Sequence, residues 1–112
     1  MCEINSPDIS VPSTMPESTG PLVSVIMPTY DDVEYISRAL RSVAKQTYTN
    51  LEVVVVDSSG VNWLEELVGK LDWGQYYHMP PNGVAAARNR GIEAAEGAII
   101  MFLDADDCYN SE

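Results

Sequence analysis

Four consecutive valines, Val53 to Val56, sit in the run Leu51-Glu52-Val53-Val54-Val55-Val56, which stops at Asp57. β-Branched side chains suit an extended backbone, and a run this continuous has no polar side to offer to water. Such a strand needs cover on both faces, as strands have in a parallel sheet flanked by helices. Neighbouring segments carry the same signal. Leu22 to Met27 is an apolar run closed by Pro28, and Ala98 to Leu103 is another that leads into Asp104-Ala105-Asp106-Asp107. Val33, Ile36, Leu40 and Val43 recur at intervals of three and four, the pattern of one helix face. Asp31 and Glu34 have the spacing of a capping box at the start of that helix, which should end near Gln46.

The rest of the chain continues the alternation. Ser58-Ser59-Gly60 supplies a turn, and Leu64, Leu67, Val68 and Leu71 mark one side of a short helix over 63–71. Gln75 to Met79 reads as a brief strand before Pro80-Pro81-Asn82-Gly83. Gly83 to Ala95 is alanine-rich and helical, with Gly97 as its expected stop. Strands alternating with helices predict an α/β fold, a mostly parallel sheet with helices on both faces. Ligands of such sheets bind beyond the carboxyl ends of the strands. Three of those ends are polar here, Thr29-Tyr30-Asp31, Asp57-Ser58-Ser59 and Asp104-Ala105-Asp106, and they are expected to converge on one crevice. Residues 1–20, with Pro7, Pro12 and Pro16 among Ser, Thr, Asp and Glu, read as a flexible leader, leaving 21–112 as the folded part.

Charge narrows the partners. Seventeen acidic residues against six basic ones give a formal net charge of -11, which argues against nucleic acid. It leaves room for a phosphate-bearing small ligand, because a divalent metal can bridge carboxylates to a diphosphate. The acidity, with Lys45 and Lys70 the only lysines, suits either a protein adapted to high salt or ordinary solubility. Cys2 and Cys108 have no metal-site spacing, and a disulfide from a tail residue is not expected, so a reducing compartment fits. With no signal-peptide pattern and no apolar run long enough to span a bilayer, the expected location is cytoplasmic or at the cytosolic face of a membrane.

The Asp104-Ala105-Asp106-Asp107 cluster carries the sharpest chemistry. Two carboxylates one residue apart at a strand end can both reach a hard cation such as Mg or Mn, which then stabilises charge on a departing phosphate. Acidic residues at a strand end can equally be turn formers. Asp57 can accept hydrogen bonds from a base or ribose, or cap the turn with Ser58 and Ser59. Tyr30 can stack on a base or cover the sheet edge. Arg88 and Arg90 stand in an alanine-rich helix, where one can grip a diphosphate or pair with Glu93. His78, the only histidine, reads as a partly buried packing residue with no catalytic role. Without Gly-x-Gly-x-x-Gly after the first strand, a dinucleotide-binding site is not indicated.

Together these segments resemble family 2 glycosyltransferases, whose fold is called GT-A and is Rossmann-like. The matching stretches are Val23-Ser24-Val25-Ile26-Met27-Pro28-Thr29-Tyr30, Ser42-Val43-Ala44-Lys45-Gln46-Thr47-Tyr48 and Leu51 to Asp57. Asn82-Gly83-Val84-Ala85-Ala86-Ala87-Arg88-Asn89-Arg90-Gly91 and Phe102-Leu103-Asp104-Ala105-Asp106-Asp107 complete them. The resemblance implies transfer of a sugar from a nucleotide diphosphate donor to an acceptor, usually with inversion. It implies that Pro28, Thr29 and Tyr30 surround the base, that Asp57 contacts the nucleoside, and that Asp31 and Ser58 belong to the same nucleotide-sugar site. Gly83, Arg88 and Asn89 would lie near the donor. Asp104 and Asp106 would form the family's Asp-x-Asp motif, with Asp106 the direct Mg or Mn ligand and Asp104 closer to the ribose as well.

Two departures bear on the donor. Asp31 stands where the family usually has Asn, and Asp57-Ser58-Ser59-Gly60 replaces Asp-Asp-Gly-Ser. The family's acceptor site and catalytic base lie downstream of its metal motif, whereas this chain reads only to Glu112. The chain is therefore expected to be a truncated, donor-binding part that binds a nucleotide sugar and transfers it poorly alone, completed by a missing C-terminal half or a partner chain. A non-catalytic nucleotide-binding or interaction module is the alternative. A haloacid-dehalogenase-type phosphohydrolase fits worse, because its Asp-x-Asp follows the first strand of the core.

Overall fold

The computed structural model describes residues 20–30, 35–45 and 50–103. They form four strands and three helices in strict alternation: β1 (Val23–Thr29), α1 (Ile36–Ala44), β2 (Leu51–Asp57), α2 (Asn62–Gly69), β3 (Gly74–His78), α3 (Val84–Ala94) and β4 (Ile99–Phe102). The sheet runs β3-β2-β1-β4 and all its pairings are parallel. The expected α/β architecture is the one observed.

Every residue of β1 and β2 is buried, as continuous apolar runs in central strands require. Alternate side chains point to opposite faces. Val23, Val25 and Met27 of β1, with Val53 and Val55 of β2, meet Ile36, Leu40 and Val43 of α1 and Leu64 and Val68 of α2 in one core. Ile26, Val54 and Val56 face the other way and pack against Ala87 of α3. The chain steps outward from β1 to β2 to β3 with its helices on one face. It then crosses back to β4 with α3 on the other. Reversing direction and face together keeps the crossovers of one hand, the rule for parallel strands.

One polar cluster and one close backbone approach hold the layers in place. Glu52, which directly precedes the four valines, is buried and accepts bonds from Ser24 Oγ (2.6 Å), Gln75 Nε2 (2.6 Å) and the Glu96 backbone N–H (2.7 Å). It thereby joins β1, β2, β3 and the segment after α3. Gly91 lets α3 lie against β1, because a Cβ there would overlap Ile26 Cγ2.

Several boundaries differ from expectation. Helix α3 ends at Ala94, not at Gly97, because Ala95 already has extended backbone (ψ 138°). Gly97 donates its N–H to Ser24 Oγ (2.8 Å) instead. Helix α2 ends at Gly69, although Leu71 still joins the core. The capping box of Asp31 and Glu34 falls outside the described residues, as do Gln46 and the 1–19 part of the leader. Edge strand β4 is thinly covered, with Ile99, Met101 and Phe102 all exposed.

Candidate functional site at the carboxyl edge of the sheet

Parallel register sets Thr29, the last residue of β1, beside Asp57, the last residue of β2. Asp57 is wholly buried, and its carboxylate is bound on both oxygens. Oδ1 accepts from Thr29 Oγ1 (2.8 Å), the Ser59 backbone N–H (2.9 Å) and Ser59 Oγ (2.6 Å). Oδ2 accepts from the Tyr76 hydroxyl at 2.7 Å. Burial alone would raise the Asp57 pKa. The bonds from the Ser59 hydroxyl, Tyr76, the Ser59 N–H and Thr29 outweigh it, so the net value lies below the ordinary carboxylate range. Tyr76 moves the other way, pushed up by burial, by its bond to Asp57 and by the charges of Asp57 and Glu65.

Around this centre the candidate residues take distinct positions. Pro28 is buried within β1 beside Val56. The Leu103 N–H bonds the Ile26 carbonyl (3.0 Å), so the next ladder donor toward β4 would be residue 28. Proline has no N–H to give, and β1 and β4 can part there. That point is also where the strand order reverses, with β2 on one side of β1 and β4 on the other, the usual location of a ligand crevice. Tyr30 follows immediately and is 53% exposed, its ring accessible for stacking. Ser58 is half-buried and donates its N–H to the Thr29 carbonyl (2.9 Å), so the Asp57 turn is capped through Ser59 and not Ser58.

Helix α3 begins on the same edge, since it follows the end of β3. Gly83 is its N-cap with φ +92°, a conformation that side chains disfavour, and no side chain caps the first turn. One turn on, the Arg88 guanidinium lies 5.3 Å from the centre of the Phe102 ring at the end of β4. Asn89 is exposed. Arg90 is engaged locally, 4.3 Å from the centre of the Tyr77 ring and 4.0 Å from Glu93. His78 is exposed at the end of β3, which corrects the expectation of a partly buried residue.

Asp31, Asp104 and Asp106 lie outside the described residues. Among the described residues, no group of three or more metal-binding side chains comes together. The carboxylate oxygens of an Asp-x-Asp pair are the donor type that Mg or Mn prefers, and that pair follows directly from Leu103 in sequence. Tyr76 was invisible to sequence reasoning. Its role depends on the β2–β3 register, which sets Tyr76 against Val55, one residue before Asp57.

Known proteins share this fold and sequence pattern. The model of the glycosyl transferase family 2 matches residues 24–112. An uncharacterized glycosyltransferase of Rickettsia bellii is 39% identical over 90 residues, covering 78% of this chain and 13% of that protein. The crystal structure of S. aureus TarS 1-349 in complex with UDP-GlcNAc superposes with TM-score 0.69 at 37% identity, over 80% of this chain and 28% of that one. The mannosyltransferase PcManGT of Pyrobaculum calidifontis, in complex with GDP-Man and Mn2+, gives TM-score 0.67 at 29% identity over 82% of this chain and 29% of its own. This chain thus spans less than a third of each of these three proteins. No helix among the described residues is long and apolar enough to cross a membrane.

Proposed function

This chain belongs to glycosyl transferase family 2, and from that premise we propose that it forms the donor-binding part of an inverting, metal-dependent glycosyltransferase. The observation that carries the reading is the meeting of strand ends. Thr29 and Asp57 are neighbours, and β4, on the other side of β1, is held by Leu103 to Ile26. At the usual strand spacing, β2 and β4 are about 10 Å apart across β1, within the span of a nucleoside diphosphate.

On this reading Tyr30, with Pro28, Thr29 and Asp31, flanks the base, while Asp57 and Ser58 serve the nucleoside. Gly83, Arg88 and Asn89 stand toward the diphosphate and sugar. A planar guanidinium such as that of Arg88 can hold two phosphate oxygens at once, and the positive end of α3 favours negative charge. Asp104 and Asp106 would hold Mg or Mn, which supplies charge neutralisation as the nucleoside diphosphate departs.

Inverting transfer also needs a base for the acceptor hydroxyl. Asp57 is the one carboxylate that ends a described strand, and it cannot serve. It is buried, and its depressed pKa makes it a weak proton acceptor. The base is therefore not Asp57, and on this reading it is sought outside the described strand ends.

Calorimetric titration of UDP and GDP, with and without Mn2+, tests the reading. Binding should require the metal and be lost in Asp106→Ala, with the melting temperature unchanged. Metal-independent binding, or equal binding by the variant, would favour a module without transfer chemistry.

A further inference from the structure

We propose that the Tyr76 hydroxyl is a displaceable placeholder on Asp57, occupying the place that an N–H of the donor's nucleobase takes when a nucleoside diphosphate binds. The proposal rests on the donor-site reading above. It begins from the uneven way in which the carboxylate is satisfied. Among the described residues, three of its four donors fall on Oδ1: one backbone N–H and two short hydroxyl side chains next to the strand ends. Thr29 ends a central strand, and Ser59 is two residues further along the turn. Among the described residues Oδ2 has a single donor, the phenol of Tyr76 on the outermost strand β3.

Asp57 itself has no exposed surface, so no ligand can reach Oδ2 while the phenol is in place. Tyr76, by contrast, is only half-buried, packing one side of its ring against the core from the outermost strand. Its raised pKa keeps it protonated, so it is a donor at neutral pH and competes with any other donor for the same oxygen. Exchanging O–H···O⁻ for N–H···O⁻ preserves one charge-assisted bond to the buried carboxylate. The fold does not need the phenol to keep β3 in register. Backbone pairing from Val53 to Asp57 and the Met79 N–H to the Asp57 carbonyl (3.0 Å) already do so.

The arrangement also bears on base selection. An acceptor-only carboxylate rejects a base edge that presents a lone pair and admits one that presents an N–H. Displacing the phenol then costs the same for every base, while only a base with an N–H at that edge regains the bond.

The test titrates UDP, GDP and inorganic pyrophosphate, with Mn2+, into the wild type and Tyr76→Phe. Removing the competitor should tighten the better-bound nucleoside diphosphate about three- to tenfold, the span of one net hydrogen bond, and leave pyrophosphate unchanged. Should Tyr76→Phe fold poorly, 3-fluorotyrosine at residue 76 of the otherwise wild-type chain reports directly. Its fluorine resonance should move with the nucleotide and stay still with pyrophosphate. Nucleotide binding that is unchanged or weaker in Tyr76→Phe, or a resonance that ignores the nucleotide, overturns the placeholder and leaves the donor site standing. Failure of the wild type to bind any of the three probes removes the donor site, and the placeholder with it.

Discussion

Removed from water and given four donors, the Asp57 carboxylate is held in its charged form by its neighbours. Asp57→Asn keeps the shape but turns an amide N–H₂ toward groups that themselves donate. At pH 7 the expected loss is about 1–3 kcal/mol. The native pKa lies below the unfolded value of about 3.9, so the stabilisation is complete above that value and is lost as pH falls through the native pKa. Denaturant titrations of both proteins from neutral pH downward should therefore show the gap closing only in acid. A gap that persists unchanged at the lowest pH would assign the loss to shape and not to charge. Glu52 teaches the same lesson more quietly. It stands at the start of an otherwise apolar run, and its oxygens tie Ser24, Gln75 and the Glu96 N–H together.

At the scale of elements, the contact of α3 with β1 is the tightest constraint. Gly91→Ala gains helix propensity, about 1 kcal/mol in an exposed helix. Its methyl would also overlap Ile26 Cγ2 in a strand that cannot retreat. Overpacking of this kind typically costs about 1–3 kcal/mol, so a net loss is expected, measured as a lower urea midpoint with unchanged slope. An increase in the midpoint would show that α3 can shift outward. The elements themselves were readable because their signals are local: β-branched runs for β1 and β2, and spacings of three and four for α1. What escaped was set by partners distant in sequence. The end of α3 is fixed by Ala95 turning extended, and Gly97 serves Ser24 on β1 and not the helix. Tyr76 meets Asp57 only once β3 has docked beside β2, and neither residue type nor spacing announces that pairing. The convergence of Thr29 and Asp57 was legible, since parallel topology brings strand ends together whatever their side chains do.

For the molecule as a whole, an acidic surface and an apolar edge oppose one another. Among the described residues, Ile99, Met101 and Phe102 are exposed on β4 at the edge of the sheet, a template for pairing between copies, while a net charge of -11 keeps copies apart. Added salt should screen that repulsion and reveal self-association, and Met101→Lys should suppress it. Light scattering against protein concentration at low and high salt measures both effects, and equal association by the variant would exclude β4 as the contact. The strand order has one more consequence, for synthesis. The two flanks of β1 are filled by segments far apart in the chain, 51–57 on one side and 99–102 on the other. At roughly 5–20 residues per second, a ribosome needs on the order of 4–15 s to travel from the end of the first strand to the start of the last. Throughout that interval the nascent chain carries an open flank on what will become its most protected strand, so early chaperone contact would be most valuable there.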